Sequence, residues 1–341
     1  MVLLAHSRST PGFPSWLHWT TGLVNDGALG VQLFFIISGF LITWLMLREH
    51  ERSGTINLKH FYIRRALRIL PAYLALLLVI ALLQALTPLA MPPRAWLGNL
   101  TFTANYLGGQ PWVSDHLWSL SVEEQFYLLW PLLFFALRLG TRRNLALAIL
   151  AVPIVIPPIV RIIEYKQFHP PQWGWLFGPA SLASSMDCLA FGCASAILLS
   201  TIPQLVRKYL TERPWLPVMI AALLILVPHM LTRLLVLGIF TVPCRQTCQA
   251  LGFSILLLQS IHLPSAGAYR LMNWTWVAWL GSCSYSIYLW HMLYCADPAE
   301  FGLSHSWWMS FPIWLLPALV TAAASYRFIE TPFLKLRSRF R

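Results

Sequence analysis

Long apolar runs separated by short polar segments dominate this chain. A transmembrane helix needs about 20 consecutive, mostly apolar residues. Runs of that length predict spans near 29–47, 63–86, 118–137, 145–163, 176–200, 214–231, 274–295 and 308–326. A further run is interrupted by Pro243, Arg245 and Gln246, and we place a span at about 247–263 within it. The pattern predicts an all-α, polytopic integral membrane protein with about ten spans.

The first apolar segment is too short to be one of these spans. Met1–Ser7 would reach only about 10 Å as a helix, so it cannot cross a membrane alone. Either the chain starts outside with this segment at the interface, or the true start lies upstream and Met1 falls inside a truncated first span. We expect the second, with roughly 12–20 mostly apolar residues before Met1. The segment lacks the basic start and cleavage pattern of a signal peptide.

The composition supports a membrane protein. Apolar residues make up 57% of the 341 residues and charged residues only 11%, whereas a soluble domain carries about 25% charged residues. The 17 Trp fit the aromatic belts at membrane interfaces. No internal repeat, Gly/Ser-rich linker or appended soluble domain is visible, so residues 1–341 are expected to form a single membrane domain.

The net charge of +12 can be explained by topology, because cytosolic loops carry an excess of Lys and Arg. If 48–65 is cytosolic and the sides alternate, the opposite side keeps only Arg8, Arg94, Arg161, Lys166, Arg233 and Arg245. The cytosolic side then holds 18 of the 24 basic residues: Arg48, Arg52, Lys59, Arg64, Arg65, Arg68, Arg138, Arg142, Arg143, Arg207, Lys208, Arg213, Arg270, Arg327, Lys335, Arg337, Arg339 and Arg341. We therefore predict a multi-pass protein of the inner (plasma) membrane with a cytosolic C-terminus, and no nucleic-acid partner.

The first candidate for chemistry is the basic segment 61–71 at the start of a predicted span. Arg65 and Arg68 are spaced i,i+3, and Arg64 and Arg68 are spaced i,i+4, so one helix face presents adjacent guanidinium groups. The planar donors of arginine suit phosphate oxygens. The alternative is an anchor on lipid headgroups, and the spacing alone leaves both open.

The second candidate is the segment 116–131, which carries two adjacent carboxylates. Ser119, Glu123 and Tyr127 recur every four residues and share one helix face. The helix macrodipole could favour an acid near a helix N-terminus. A role for Glu123 in orienting a base or holding a hydroxyl acceptor is the functional alternative.

A polar stripe marks the segment 281–295. Ser284, Tyr288, His291 and Cys295 follow helical spacing, so we expect them to face a protein partner or a cavity rather than lipid. A histidine in such a stripe is either a hydrogen-bonded interhelical residue or a catalyst.

Two isolated polar residues complete the candidates. His6 alone reads as an interfacial histidine. Asp187 is an intramembrane carboxylate and is expected to partner a basic group.

The six cysteines are interpreted as reduced, buried hydrophobic residues rather than metal ligands. The sequence also has no His-Glu-x-x-His, Walker or Gly-x-Ser-x-Gly motif. We therefore predict no metal site.

Ordered motifs along nearly the whole chain resemble those of the acyltransferase-3 family of membrane O-acyltransferases. They are Gly30-Val-Gln-Leu-Phe-Phe-Ile-Ile-Ser-Gly-Phe-Leu-Ile-Thr43, the Arg-x-x-Arg segment 61–71, Trp118-Ser-Leu-Ser-Val-Glu-Glu-Gln-Phe-Tyr-Leu-Leu-Trp-Pro131, Ser284-Tyr-Ser-Ile-Tyr-Leu-Trp-His291 and Arg327-Phe-Ile-Glu-Thr-Pro332. Val2-Leu-Leu-Ala-His6 looks like the end of the family's first span, where an Arg and, ten residues later, a His are functional. That Arg would fall before Met1, and Gln32 stands where many relatives carry Asp.

The resemblance implies transfer of an acyl group, commonly acetyl, from acyl coenzyme A to a hydroxyl of a cell-envelope carbohydrate or glycolipid, with no bound cofactor. On this hypothesis Arg65 and Arg68 hold the phosphates, and His6 acts as general base or receives the acyl group itself. Glu123 orients the base or the acceptor. Supporting roles fall to Arg64, Tyr127, Tyr288, His291, Asp187 and Glu330. The rival function is a transporter or flippase for a lipid-linked sugar, and a membrane scaffold ranks third.

Overall fold

The computed structural model describes residues 1–19, 26–166, 181–234, 238–304 and 307–340, which fold into helices joined by turns. The α-helices are α1 (Val2–His6), α2 (Ser15–Trp19), α3 (Gly27–Ser53), α4 (Leu58–Leu86), α5 (Pro93–Leu100), α6 (Trp112–Asp115), α7 (Leu117–Ala136), α8 (Arg143–Lys166), α9 (Leu182–Thr201), α10 (Pro203–Thr211), α11 (Trp215–Arg233), α12 (Gly238–His262), α13 (Tyr269–Met272), α14 (Thr275–Ser282), α15 (Ser284–Trp290), α16 (Leu315–Ser325) and α17 (Thr331–Leu336). A π-helical turn, Tyr326–Glu330, joins α16 to α17. The predicted all-α class is confirmed over these residues.

Several helices expose apolar faces that only a lipid environment would cover. In α4, leucines recur every fourth residue on the exposed face, at Leu70, Leu74, Leu78, Leu82 and Leu86, with exposures from 37% to 81%. Five helices in the described part of the chain are long and apolar enough to cross a membrane: α3, α4, α8, α9 and most of α11. The chain is therefore a helical membrane protein. The expected count of about ten spans is not reached by these helices.

The centre of the fold is a close contact between α3 and α9. A methyl group built on Gly39 would overlap the carbonyl of Leu189, and one built on Gly192 would overlap the carbonyl of Ile36. Small residues allow two membrane helices to approach this closely, which increases their dispersion contacts. The contact fixes the position of α3, and α3 in turn carries one wall of the candidate site.

The N-terminal helix α1 lies against the start of α3. Gly27 and Gly30 leave room for it, since a methyl group on Gly27 would lie 3.0 Å from the Cβ atom of Ala5. The segment after α1 is tied to the C-terminal third of the chain by a hydrogen bond from the Phe311 amide to the Pro11 carbonyl, at 2.8 Å. These contacts hold the end of α1, and with it His6, at the junction of distant segments.

Helix ends follow the local sequence signals. Asp26 caps α3 by accepting from the Ala28 amide at 3.1 Å, and Asn57 caps α4 by accepting from the His60 amide at 3.0 Å. Gly54, with φ +73°, ends α3 in the left-handed conformation that glycine adopts without strain. The α3–α4 connection is therefore short, and it brings the basic segment of α4 next to the end of α3.

Most predicted spans coincide with helices, and three need correction. The predicted span 247–263 begins after Pro243, but α12 already begins at Gly238 and continues through that proline. A membrane helix tolerates proline because neighbouring groups satisfy the backbone carbonyl that loses its helical hydrogen bond. The run 274–295 is not one helix, because α14 ends and α15 begins at Cys283 and a 3₁₀ turn, His291–Leu293, follows. The run 308–326 begins as turns, and α16 starts only at Leu315. Residues 176–180 of another predicted span lie outside the described residues.

Candidate active site

Two histidines from opposite ends of the chain meet in a hydrogen bond. Nδ1 of His6, the last residue of α1, lies 2.8 Å from Nε2 of His291, at the end of α15. His291 is fully buried, and its Nδ1 lies 2.7 Å from the carbonyl oxygen of Tyr288. The structure thus brings together two residues that the sequence singled out separately.

Aromatic side chains and a third histidine surround this pair. The Trp112 ring meets His6 edge-on at 5.7 Å, and the buried His116 ring lies 5.3 Å from the His291 ring. Nε2 of His116 lies 3.2 Å from the carbonyl oxygen of Leu289. His116 and His291 are buried and His6 is partly buried, so bulk water has limited access to the cluster.

A pair of hydroxyls continues the polar region inward from the histidines. Ser119 Oγ and the Tyr288 hydroxyl lie 2.5 Å apart, and the Tyr288 hydroxyl donates to the His116 carbonyl at 2.9 Å. The Phe34 ring stacks on Tyr288 at 6.3 Å. Tyr288 therefore links the histidines to α7 and α3.

The Glu123 carboxylate forms a second cluster further along α7. Oε1 accepts from the Tyr127 hydroxyl at 2.5 Å and from the Ser38 hydroxyl. The side chain is 1% exposed, and its Oε2 accepts no hydrogen bond from the described residues. The face shared by Ser119, Glu123 and Tyr127 is buried, as predicted.

Arg65 lies against carboxylates rather than at an open surface. Its Nη2 is 3.3 Å from Glu123 Oε1 and 3.1 Å from Glu124 Oε1, and its guanidinium carbon lies 3.4 Å from the Tyr127 ring centroid. Arg64 is also engaged, with Glu49 at 2.6 Å and the Phe340 carbonyl at 2.7 Å. The predicted basic face is thus divided between different partners.

Arg68, by contrast, is exposed. Its positive charge acts on Glu330, a buried carboxylate in the π-helical turn that accepts a hydrogen bond from the Ser286 hydroxyl. The structure therefore joins the Arg-x-x-Arg segment to the segment 327–332 at the far end of the sequence.

The histidine and carboxylate clusters are separate. His116, the N-cap of α7, precedes Glu123 by seven residues, or about 10 Å along the helix axis. The structure places His291, and not Glu123, in hydrogen-bonding contact with His6. The structure therefore does not show the contact between Glu123 and His6 that a direct role of Glu123 in orienting the base would need.

Asp187 has the basic partner that the sequence predicts. Its Oδ1 lies 2.8 Å from Arg161 Nη2, and its Oδ2 accepts from the Thr247 hydroxyl at 2.6 Å. Arg161 also donates to the carbonyls of Ser184 and Pro243. Arg161 was counted only as a basic residue of the non-cytosolic side, and the structure shows it buried near the end of α8. Counting basic residues by topology does not reveal such pairing.

Breaking this ion pair should destabilise the fold. Replacing Asp187 by leucine leaves the Arg161 charge buried and unpaired, at a cost of about 3–5 kcal/mol. A double variant with Arg161→Met should recover most of that loss, since it buries no charge. Thermal unfolding in detergent measures both, and Glu51→Gln, which removes the exposed partner of Arg143, serves as a control expected to cost about 1 kcal/mol or less. Equal melting of Asp187→Leu and wild type would contradict the pair's structural role.

Several residues at the site were not selected from the sequence. His116 stands at the start of the segment 116–131, and its position one turn before Ser119 could have marked it. Ser38 lies within the family-like segment 30–43 but was not singled out there, and Trp112 carried no signal, because their contacts to Glu123 and His6 are made across the fold. Along the predicted polar stripe, Ser284 is exposed, Tyr288 is partly buried and His291 is buried.

Comparison with known proteins adds a family to this geometry. A family model described as an acyltransferase domain matches residues 1–328. A Staphylococcus aureus (strain COL) protein provisionally named an O-acetyltransferase is 28% identical over 340 residues, which cover 93% of this chain and 54% of that protein. The peptidoglycan O-acetyltransferase OatA of Listeria monocytogenes is 26% identical over 342 residues, which cover 93% of this chain and 53% of OatA. This chain therefore spans about half the length of these relatives. No solved structure matches it significantly.

Proposed function

This chain belongs to the acyltransferase family, and from that premise we propose that it transfers an acetyl group from acetyl coenzyme A to a hydroxyl of a cell-envelope carbohydrate. Support for acetyl as the group and for a carbohydrate as the acceptor comes from the relatives, one of which is named a peptidoglycan O-acetyltransferase. Membership of an enzyme family favours catalysis over the transporter function that the polar stripes also allowed.

The observation that carries this proposal is the hydrogen-bonded His6–His291 pair, in which His291 is buried and His6 is partly buried. A neutral histidine with one ring nitrogen engaged and the other available can act as a general base. His6 is thus the proposed general base. His291, Tyr288 and Ser119 support it, and Asp187 acts only on the fold.

The proposed reaction needs no group beyond these side chains and the two substrates. The acceptor oxygen attacks the thioester carbonyl carbon while His6 takes the hydroxyl proton. The new C–O bond forms, the C–S bond breaks, and the coenzyme A thiolate takes the proton back from His6. The products are an O-acetyl ester and free coenzyme A, and the histidine is regenerated.

Acetyl coenzyme A is proposed to bind through its phosphates at the exposed Arg68. A guanidinium is well suited to phosphate, because its planar donors reach two oxygens at once. Arg65 is proposed to act differently from the phosphate-binding role that the family resemblance implied. It balances the charge of Glu123 and Glu124 and so holds these carboxylates in place.

We expect Arg68→Ala to weaken acetyl coenzyme A binding about 10–150-fold, because a charged hydrogen-bonded contact is worth about 1.5–3 kcal/mol. Arg65→Ala should mainly lower kcat. Donor titrations and initial rates on the purified protein separate the two effects. Arg48→Ala, at an exposed arginine on α3, should leave donor binding unchanged. A larger loss of donor affinity in Arg65→Ala than in Arg68→Ala would reverse the assignment.

We also propose that residues 1–341 form one domain in the inner (plasma) membrane with the C-terminus in the cytosol. The support is the skewed distribution of basic residues, 18 of 24 on the side of 48–65. Arg68 then lies near the side on which acetyl coenzyme A is made, and His6 lies toward the opposite side.

The test of the function is the acetyl content of envelope glycans. Mass spectrometry should show O-acetylated sugars in a wild-type strain, their loss on deletion, and their return on complementation with the native gene but not with a His6→Ala gene. In addition, purified protein in liposomes should transfer radiolabel from acetyl coenzyme A to a muropeptide. Unchanged glycan acetylation in the deletion strain, together with no transfer in vitro, would refute the proposal.

A further inference from the structure

We propose that His291 is a positioning residue that fixes the tautomer of His6. It accepts a hydrogen bond from Nδ1–H of His6, and so leaves Nε2 of His6 as the unprotonated nitrogen that takes the acceptor's proton. This inference rests on the proposed function of His6 as the base. The groups that orient His6 are then the neutral ring of His291 and the backbone carbonyl of Tyr288.

The two rings are arranged edge to edge. Their centroids are 5.0 Å apart, their planes differ by 17°, and the facing nitrogens are 2.8 Å apart. The centroid separation exceeds the N···N distance by about two ring radii, so the N···N line runs along the line between the centroids and lies in both ring planes. Face-to-face stacking would not allow this combination. An in-plane approach is the geometry in which a ring N–H points at a ring lone pair.

The direction of this hydrogen bond follows from the far side of His291. Nδ1 of His291 lies 2.7 Å from the carbonyl oxygen of Tyr288, and a carbonyl can only accept. Nδ1 of His291 therefore carries its proton, and in the neutral ring Nε2 carries a lone pair. Nε2 can then only accept, so the donor is Nδ1–H of His6. The remaining nitrogen of His6, Nε2, has no proton.

The geometry distinguishes His291 from the other histidine of the cluster. His116 directs its Nε2 toward the Leu289 carbonyl, at 3.2 Å, and its ring is inclined by 69° to that of His291. Its hydrogen bond to the protein therefore runs to the backbone and not to His6. A change at His116 should leave the tautomer of His6 unaltered, which makes it a matched control within the same cluster.

The arrangement also supports the protonated state of the base. When His6 takes a proton at Nε2, its Nδ1–H becomes a more acidic donor, and its hydrogen bond to the His291 lone pair becomes charge-assisted and stronger. The wrong tautomer of His6 would present an N–H to the acceptor hydroxyl and could not take its proton.

The test uses two substitutions at His291. The amide oxygen of a glutamine can still accept from His6, whereas a leucine cannot. We expect His291→Leu to lower kcat on the order of 10²–10⁴-fold with less than a twofold change in the KM for acetyl coenzyme A. His291→Gln should remain within about tenfold of wild type.

The structural readout does not depend on turnover. Solid-state ¹⁵N NMR of histidine-labelled protein in lipid, with His6 assigned by its loss in His6→Ala, should show Nδ1 protonated and Nε2 unprotonated in wild type and His291→Gln. In His291→Leu the two tautomers of His6 should mix, and in His116→Leu the tautomer of His6 should be the same as in wild type.

A His6 protonated at Nε2 in wild type, or an unchanged tautomer in His291→Leu, would overturn the inference. If the tautomers behave as expected but His6→Ala retains transfer, the positioning is right and the proposed function of His6 is wrong.

Discussion

Replacing His6 by alanine should lower acetyl transfer by about 10²–10⁴-fold, the usual contribution of a general base. The substitution removes the ring whose Nδ1 contacts His291 and with it the nitrogen proposed to take the acceptor's proton. Donor binding should be almost unchanged, because Arg68 lies in a separate part of the site. Initial rates at saturating acetyl coenzyme A, together with donor titrations, measure both effects.

Two controls separate loss of the base from loss of the fold. His6→Ala leaves Nε2 of His291 without its donor, which costs about 1–3 kcal/mol and should appear only as a modest fall in melting temperature. His60→Ala changes a histidine that packs on Phe340 instead, and it should transfer at the wild-type rate. Transfer by His6→Ala at a tenth of the wild-type rate or more would exclude His6 as the base.

Local spacing predicted the parts of the site that lie on a single helix. Ser119, Glu123 and Tyr127 recur every four residues, and the structure buries them on one face of α7. Long apolar runs located α3, α4, α7 and α8 because length and hydropathy are properties of the segment itself. Such features need no knowledge of the neighbouring helices.

Pairing across the fold could not be read in the same way. His6 and His291 are separated by 285 residues, and no local periodicity records that they meet. The spacing of Arg65 predicted a basic helix face, for which phosphate and lipid headgroups were both open partners, but the packing of α7 against α4 presents Glu123 and Glu124 to it first. The break at Cys283 was missed because hydropathy averages over a turn without registering it.

The histidine cluster and the Glu123 cluster lie at different positions along α7, so we propose different roles for them. His6 and His291 lie beyond the start of α7, and Glu123 lies about 10 Å further along it, with Ser119 and Tyr288 between them. A substrate that reaches His6 through this region would pass Glu123. We therefore propose that the carboxylate holds a substrate rather than orients the base.

Glu123 has an atom suited to that role. Its Oε1 is engaged by Ser38, Tyr127 and Arg65. Its Oε2 is buried, and no protein donor reaches it within the described part of the chain. An unpaired carboxylate oxygen in such a site costs free energy, which a substrate hydroxyl or amide would recover by donating to it.

Glu123→Gln should consequently abolish most transfer while the protein remains folded. The glutamine keeps an oxygen for Ser38 and Tyr127 but presents an amide N–H₂ where Oε2 stood, so a donor on the substrate meets another donor. We expect a fall of about 100-fold or more in kcat/KM, equivalent to about 2.7 kcal/mol, with a melting temperature close to wild type.

The matched control is Glu124→Gln, because the Glu124 side chain is 20% exposed and pairs with the same arginine, Arg65. It should retain most activity, because Glu124 offers no buried oxygen to the substrate. If Glu124→Gln is the inactive variant and Glu123→Gln is active, the carboxylate that holds the substrate has been assigned to the wrong residue.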